Sequence, residues 1–438
     1  MRSAVVGKFQ HYIRLGTHAE KEYLTKAKPL FDGLALNANL VEATRSALAV
    51  FAITLGKRFI VDPVTYAFAL DPVLLRSTSK KPSPQRPVRA TFKALADQYM
   101  LPSKDHLGKR PLTPKEFDET TLATFVDHVL KYQTTRLTSA LAENADFLTS
   151  EVTASGTALS PALPMAPYFV DDFSGEWRKT NMDCLRIAHE LGGPAQGMVA
   201  FDNRLATPAS LWQLVSEYLQ SPLKQFWIWP TDLDEHYTPE PSLKGYADAV
   251  ARLSGEKTVI AAYGGFFAIL LYFRGLAGVC HGVGYGDKRD LEPVLGGGIP
   301  PARFYLRAIR DTIAIGDLPV VAAGLTDDDF RKLVCSCQIC AGLLERGGVA
   351  NLLAELTATE FRQSPARGVV EVPTGRVYRL TRNHFLLNRH TEIREVTTAA
   401  SFQQLAESIL NQAQWAAHRL SLTSTRHINN WLKAADPA

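Results

Sequence analysis

Short apolar runs ending in Asp, Asn or Gly recur along the chain, each followed by a segment whose apolar residues fall three or four apart. Runs of this kind bounded by turn residues read as buried strands, and the spaced segments as amphipathic helices. The alternation predicts the βα repeat of a parallel sheet. Strand candidates are Gly33–Asn37, Arg58–Asp62, Tyr168–Asp172, Met198–Asp202, Phe226–Trp229, Val259–Ala262, Gly278–Gly282 and a last strand within 303–321. Helical spacing is clearest over Thr44–Leu55, Ser210–Leu219, Tyr246–Leu253 and Arg303–Ile315. About eight such units close a barrel whose chemistry sits at the C-terminal strand ends. The expected fold is therefore α/β, a (β/α)8 TIM barrel.

The interval between the second and third strand candidates is far longer than the ~2–6 residues of an ordinary βα loop. It opens on the Pro/Ser/Lys-rich stretch Ser77–Pro87 and closes near Ser155-Gly156, with a helical pattern over Phe117–Leu141 inside it. It reads as a helical insertion, 77–160, offering a surface to other proteins. The expected organisation is a barrel over 1–330 including that insertion, a metal-binding subdomain over 331–400 and a helical segment over 401–438.

With 46% hydrophobic and 21% charged residues the chain is globular in composition, which excludes disordered, fibrous and disulfide-dense classes. A net charge of +4 permits a nucleic-acid partner without arguing for one. Met1–Leu15 carries Arg2, Lys8, His11 and Arg14 and no apolar run, unlike a secretory segment. The longest apolar stretch, Thr258–Phe273, is broken by Gly264-Gly265 and falls short of the ~20 residues of a spanning helix. A cytoplasmic protein with no membrane partner is expected.

Three of the five cysteines stand together as Cys335-x-Cys337-x-x-Cys340. Thiolates this close converge on one tetrahedral Zn2+ that needs a single further ligand. No cysteine follows, so a histidine from the helical run His384–Val396 is expected: His384, with His390 the alternative. A closed site without an open position is structural, so one structural Zn2+ is the expected cofactor. Carboxylates form a second group at strand ends: Asp62, Asp171, Asp172, Asp202, Asp232 and Asp234. Such groups act as acids, bases or nucleophiles, and equally cap the helix that follows. Glycines form a third group, Gly264 and Gly265 after Tyr263, then Gly278–Gly282 with Val283, Gly284, Tyr285, Gly286 and Asp287. At strand ends they let a planar ligand approach the backbone, or simply make tight turns. They do not form a dinucleotide fingerprint.

In this combination the residues resemble the tRNA-guanine transglycosylase superfamily, zinc-containing (β/α)8 barrels that exchange guanine for a 7-deazaguanine. Cys335-x-Cys337-x-x-Cys340 with a later histidine is similar to that family's zinc pattern. Met198–Asp202 is similar to the strand ending in its base-reading aspartate, and Asp171-Asp172-Phe-Ser-Gly175 to its D-S-G-G-F motif. Tyr263-Gly264-Gly265 and Gly278–Asp287 are similar to its Q-G-G and G-G-L-A-V-G-E segments. The resemblance implies Asp172 as acid, with Asp171 the alternative and Asp202 gripping the base. It implies a base-binding wall from Gly264, Gly265, Gly282, Val283, Gly284, Tyr285, Gly286 and the terminal acid Asp287. Tyr263 stands where the family has glutamine, and its F-D-x-x-P-T-R string is absent. Asp317 is then nearest by order to the nucleophile, with Asp232 and Asp287 as alternatives.

The implied function is exchange of guanine for a 7-deazaguanine base in nucleic acid, DNA favoured over tRNA, with a purine or 7-deazaguanine as the small partner. Two other readings stay open. One is a nucleic-acid-binding zinc barrel that lost its nucleophile; the other is a barrel hydrolase or lyase using Asp202 and His281 on a small molecule.

Overall fold

The main sheet is built from β1 (Gln10–Leu15), β2 (Gly33–Asn37), β3 (Arg58–Asp62), β4 (Gly197–Asp202), β5 (Gln225–Thr231), β6 (Thr258–Ala261) and β7 (Gly278–Gly282). All neighbours are parallel, in the order β3-β2-β1-β7-β6-β5-β4. The computed structural model describes residues 8–17, 20–76, 86–143, 163–283, 287–291, 301–364, 368–422 and 425–437. The sheet curls until its two edges are bridged by the extended segment 163–171. On one side Ala166 N donates to Gln196 O and Asp171 N to Ala200 O, both at 2.9 Å. On the other Tyr168 N donates to Thr65 Oγ1 at 2.9 Å, and that hydroxyl donates to Tyr168 O at 2.7 Å. The fold is a TIM-like α/β barrel.

Two staves differ from the sequence reading. β1 is a barrel strand although its apolar residues are diluted by Gln10, His11 and Arg14. A period-two strand with one face toward a polar mouth does not read as an apolar run. The expected strand within 303–321 lies outside the barrel. It folds as β8 (Arg303–Leu306) and β9 (Asp311–Ala314), an antiparallel pair turned tightly at Arg310, whose φ is +53°. With β1 in place the barrel has no vacancy for it.

Helices α1 (Ala38–Leu55), α2 (Glu119–Ala142), α3 (Glu176–Glu190), α4 (Pro208–Leu219) and α5 (Glu240–Ser254) wrap the outside. Their starts are fixed locally. Asn37 caps α1 through Asn39 N, Asp118 caps α2 through Thr121 N, and Thr207 caps α4 with Pro208 at its first position, as expected of such residues. The long helix of the 77–160 stretch, α2, packs between α1 and α3 and is pinned to α1 by Arg136, which pairs with Glu42 at 2.7 Å. It thus serves as a wall helix of the barrel. Among the described residues α1 is the one helix long and apolar enough to cross a membrane. Inside the barrel the Tyr12 ring meets Trp227 edge-on at 5.2 Å. Gly33, paired with Tyr12, makes the room, since a Cβ there would fall 2.5 Å from the ring.

After β6, the short helix α6 (Phe266–Leu270) leads into β7. A second core then gathers Phe304, Leu333, Cys340, Leu343, Leu356 and Val377 around α7 (Gln338–Leu344), the hairpin β10 (Thr359–Ser364) and β11 (Gly368–Pro373), and the start of α8 (Gly375–Thr398). α8 runs on to bury Phe385, Leu386, Ile393 and Val396 against the barrel, so one helix belongs to both cores. After α9 (Phe402–Arg419), α10 (Arg426–Ala435) returns to α5 and α6, where Trp431 Nε1 donates to Glu235 O.

Candidate functional site

The cysteine cluster is assembled by α7 and α8. Cys337 is the residue preceding α7, Cys340 lies in its first turn, and His384 faces them from the buried side of α8. The four ligand atoms of Cys335, Cys337, Cys340 and His384 lie within 4.8 Å of one another. His384 Nε2 bonds Tyr305 O at 2.8 Å, leaving Nδ1 toward the sulfurs, 3.3 Å from Cys337 Sγ and 3.4 Å from Cys340 Sγ. A tetrahedral S3N zinc site has sulfur–nitrogen edges of roughly 3.5 Å, so the donor set and spacing fit. Asn388, one turn on, donates to Cys335 Sγ at 3.4 Å and to His384 O at 2.8 Å, and Phe304 stacks on the imidazole at 4.1 Å. Such outer partners orient metal ligands. His390 is not part of the cluster; its Nδ1 meets Leu30 O at 3.1 Å.

The acids are engaged separately. Asp171 is buried and held by Arg178 Nε at 2.7 Å. Asp172 is exposed, its Oδ1 accepting Ser174 N. Asp202 pairs with Arg204 at 2.7 Å, and Arg204 also approaches Asp232 at 3.7 Å. Asp317 is exposed beyond β9, in the C-terminal subdomain rather than at a strand end of the barrel. Gly264 makes room for the Ala268 side chain, which would stand only 2.4 Å from a Cβ at that position, and donates its N–H to Cys280 O. Gly282 offers its carbonyl to His281 Nδ1, and Val283 is buried. Gly284, Tyr285 and Gly286 lie outside the described residues. His281 faces outward under α8, its Nε2 2.8 Å from His11 Nε2, with Phe385 edge-on at 5.5 Å. It is sealed away from the barrel mouth and from Asp202.

One pair of carboxylates does converge, at the exits of β5 and β7. A Cβ on Gly265 would sit 2.6 Å from Glu235 Oε2 and 3.2 Å from Asp287 Oδ2. Both acids line a cavity of about 250 Å³ between the barrel loops, the β8–β9 hairpin and α8, together with His236, Tyr305, Arg310 and Arg389. Glu235 is 5% exposed and accepts Gly265 N, Phe267 N and Ala268 N at 2.7, 2.8 and 3.2 Å. Burial, and then the nearby Asp287 charge, push its carboxyl up to about 7 against those backbone bonds. Burial also raises Asp287, opposed by Arg389, whose NH2 lies 3.0 Å away. Asp287 Oδ1 is buried with no hydrogen-bond partner among the described residues. Arg389 is held in turn by Glu392, which also meets Arg310 at 3.4 Å and accepts Tyr305 OH at 2.7 Å. Tyr305 thus joins the cavity wall to the His384 cluster through its own carbonyl.

Sequence reading singles out Asp287 but not Glu235. A carboxylate after Asp232 and Asp234 reads as one more loop acid, and only the fold bends it back onto the start of α6.

No family model matches the chain, and no curated protein is similar to it in sequence. Solved structures with a likeness in fold include a psychrophilic glycoside hydrolase family 10 endo-β-1,4-xylanase, at 9% identity and a TM-score of 0.33 over 66% of this chain and 89% of that one. An intracellular xylanase from Thermoanaerobacterium saccharolyticum, in complex with xylotriose, is 11% identical with a TM-score of 0.31 over 62% of this chain and 85% of its own. A glycoside hydrolase of family 10 from Paenibacillus barcinonensis is 10% identical with a TM-score of 0.32 over 62% and 82%. The expectation of guanine exchange in nucleic acid is corrected. The solved structures are glycoside hydrolases and not base-exchanging transferases. Within the chain Asp171, Asp202 and Asp287 are each tied to a different arginine, and Asp317 stands apart.

Proposed function

We propose that the chain is a barrel hydrolase of a small molecule, with Glu235 and Asp287 as its working carboxyls and a glycoside as the substrate class the pair suits. The observation that carries this reading is the closing of the two carboxylates on one backbone point, Gly265, beside a cavity of about 250 Å³. Glycoside hydrolysis needs one carboxyl that is protonated near neutral pH and one that is ionised, roughly 5 Å apart where the second is the nucleophile and wider where it activates water. Environments that separate the protonation of neighbouring acids assign those roles. Glu235, raised to about 7, is the proton donor to the departing oxygen. Asp287, one-third exposed and paired with Arg389 at 3.0 Å, stands close enough to Glu235 to add to the sugar carbon as the carbon–oxygen bond to the leaving group breaks. Water, giving its proton to Glu235, then breaks the bond between Asp287 and the carbon, which restores both carboxyls.

Zinc belongs to the same proposal. Held by Cys335, Cys337, Cys340 and His384, it is structural, because all four positions are filled by protein. Its part is to fix α7 and α8, and through His384 the Tyr305 carbonyl on the cavity wall.

The test is turnover of a panel of 4-nitrophenyl glycosides, esters and phosphates by wild type, Glu235→Gln and Asp287→Asn. Hydrolysis of a glycoside should fall as pH rises through about 7, with each substitution lowering kcat by about 100-fold or more. Turnover untouched by both substitutions would remove the carboxyl pair from the chemistry.

A further inference from the structure

The hairpin of the second core leaves one strand edge open. β10 and β11 form a two-stranded antiparallel sheet that no other strand joins among the described residues, and such a pair is only marginally stable by itself in water. Thr374 N donates to Ala358 O at 3.0 Å. Hydrogen-bonded and non-hydrogen-bonded pairs alternate along an antiparallel ladder, so the register turns the backbone groups of Glu360 and Arg362 inward, to Val372 and Val370. The N–H and C=O groups of Thr359, Phe361 and Gln363 therefore point outward, away from β11. On the opposite edge the outward residues are Val369, Glu371 and Pro373, and the proline offers no N–H, which blunts that edge. The edge of β10 has no such block. Phe361, 77% exposed, and Val369, 66% exposed, stand on one face of the hairpin. Glu360 and Arg362 stand on the other, paired at 2.6 Å.

The order Glu360-Phe361-Arg362 fits one occupant of that edge, a second copy of the same strand. We propose that β10 pairs antiparallel with β10 of a second copy about a two-fold axis at Phe361, giving the sheet β11-β10-β10-β11. Only a register centred on an outward residue joins donors to acceptors. Centred on Phe361, that residue meets its own copy and Thr359 meets Gln363, so every outward N–H and C=O of the three residues finds a partner. Glu360 and Arg362 fall in the intervening pairs, where side chains approach most closely. Each lies opposite the other's copy, and the four charges alternate in sign around a square. Moving the axis to Thr359 or Gln363 sets Glu360 opposite Ala358, or Arg362 opposite Ser364, and the charge pairing is gone. Such self-complementarity is what a two-fold interface requires. The two exposed Phe361 rings come side by side on one face, a cross-strand aromatic pair that stabilises the sheet. The contact is one strand long, below the area of a permanent dimer, so association in the micromolar range is expected.

Sedimentation velocity of the full chain over a range of concentrations tests this. The mass of wild type is expected to rise from 48.2 kDa toward twice that value as the concentration reaches about 100 µM. Phe361→Pro removes an outward N–H and leaves the bonds between β10 and β11 in place, so it should weaken association by about tenfold or more. Glu360→Arg sets like charges across the axis, as does Arg362→Glu, and each alone should weaken self-association by about tenfold. Mixed in equal amounts the two variants should associate with each other, since each then meets opposite charge, and a chain carrying both substitutions should recover self-association. The mixing result keeps the test sharp if Phe361→Pro disturbs the hairpin. A wild type that stays monomeric throughout overturns the proposal. So does a dimer left intact by both Phe361→Pro and Glu360→Arg, or a failure of the two charge variants to associate on mixing. The readout is mass alone, so it stands whatever becomes of the hydrolase reading.

Discussion

Removing the Glu235 charge should change how stability depends on pH, in a direction the structure sets. In the unfolded chain this carboxyl titrates at its ordinary value of 4.5, and in the folded protein at about 7. A raised acid contributes stability that is full below pH 4.5 and is lost as pH climbs through about 7. The separation corresponds to about 3 kcal/mol. Wild type alone will not reveal it, because His11 works the other way. Burial lowers His11 from 6.5 to about 4, so the unfolded chain gains a proton first, and stability falls from pH 6.5 down to 4 by a similar amount. His281, lowered well below its ordinary value by burial, adds to that loss. The two effects oppose each other over nearly the same window.

Glu235→Gln removes one and keeps the other. Urea unfolding followed by tryptophan fluorescence between pH 4.5 and 8 gives both curves. The stability of the variant minus that of wild type should rise by about 3 kcal/mol from pH 4.5 to pH 8. The bond lost to Phe267 N shifts that difference by a constant, and the other titrating groups are common to both proteins. Asp287→Asn should shrink the pH-dependent part, since the Asp287 charge is the second cause of the shift. Parallel curves for wild type and Glu235→Gln across this range would refute the claim that the Glu235 carboxyl is perturbed by its surroundings.

Other outcomes follow from single contacts. Protein purified without chelator should carry one zinc per chain by elemental analysis, and Cys337→Ser should lose the metal and lower stability by several kcal/mol, since structural metal binding is coupled to folding. Asp171→Ala leaves the buried Arg178 guanidinium with only Glu217, at 3.1 Å; a loss of about 3–5 kcal/mol in denaturant unfolding is expected. Gly33→Ala drives a methyl group into the Tyr12 ring and should destabilise by about 1–3 kcal/mol, readable by the same unfolding. Asp202→Asn breaks a pair whose Arg204 side is 61% exposed, so turnover at Glu235 and Asp287 should stay within about threefold of wild type.

What the sequence determined by itself was local. Apolar runs of strand length alternating with helical spacing are enough for an α/β barrel, because burial on both faces of a parallel strand leaves a continuous apolar signature. Three cysteines within six positions can reach one metal through a single turn of chain, so Cys335, Cys337 and Cys340 were legible from spacing, and a histidine on a predicted helix completes the set at His384. Tertiary structure decided everything that depends on distant partners. β1 is a strand because its neighbours β2 and β7 accept it, although its polar residues hide it. The stretch 303–321 becomes a hairpin because that place is taken. An aspartate at a strand end looks the same whether an arginine seven residues on, as for Asp171, or one 102 residues on, as for Asp287, reaches it. Glu235 is the extreme case. Its protonation depends on the start of α6, on a carboxylate beyond β7 and on an arginine of α8, groups that only the closed barrel brings together.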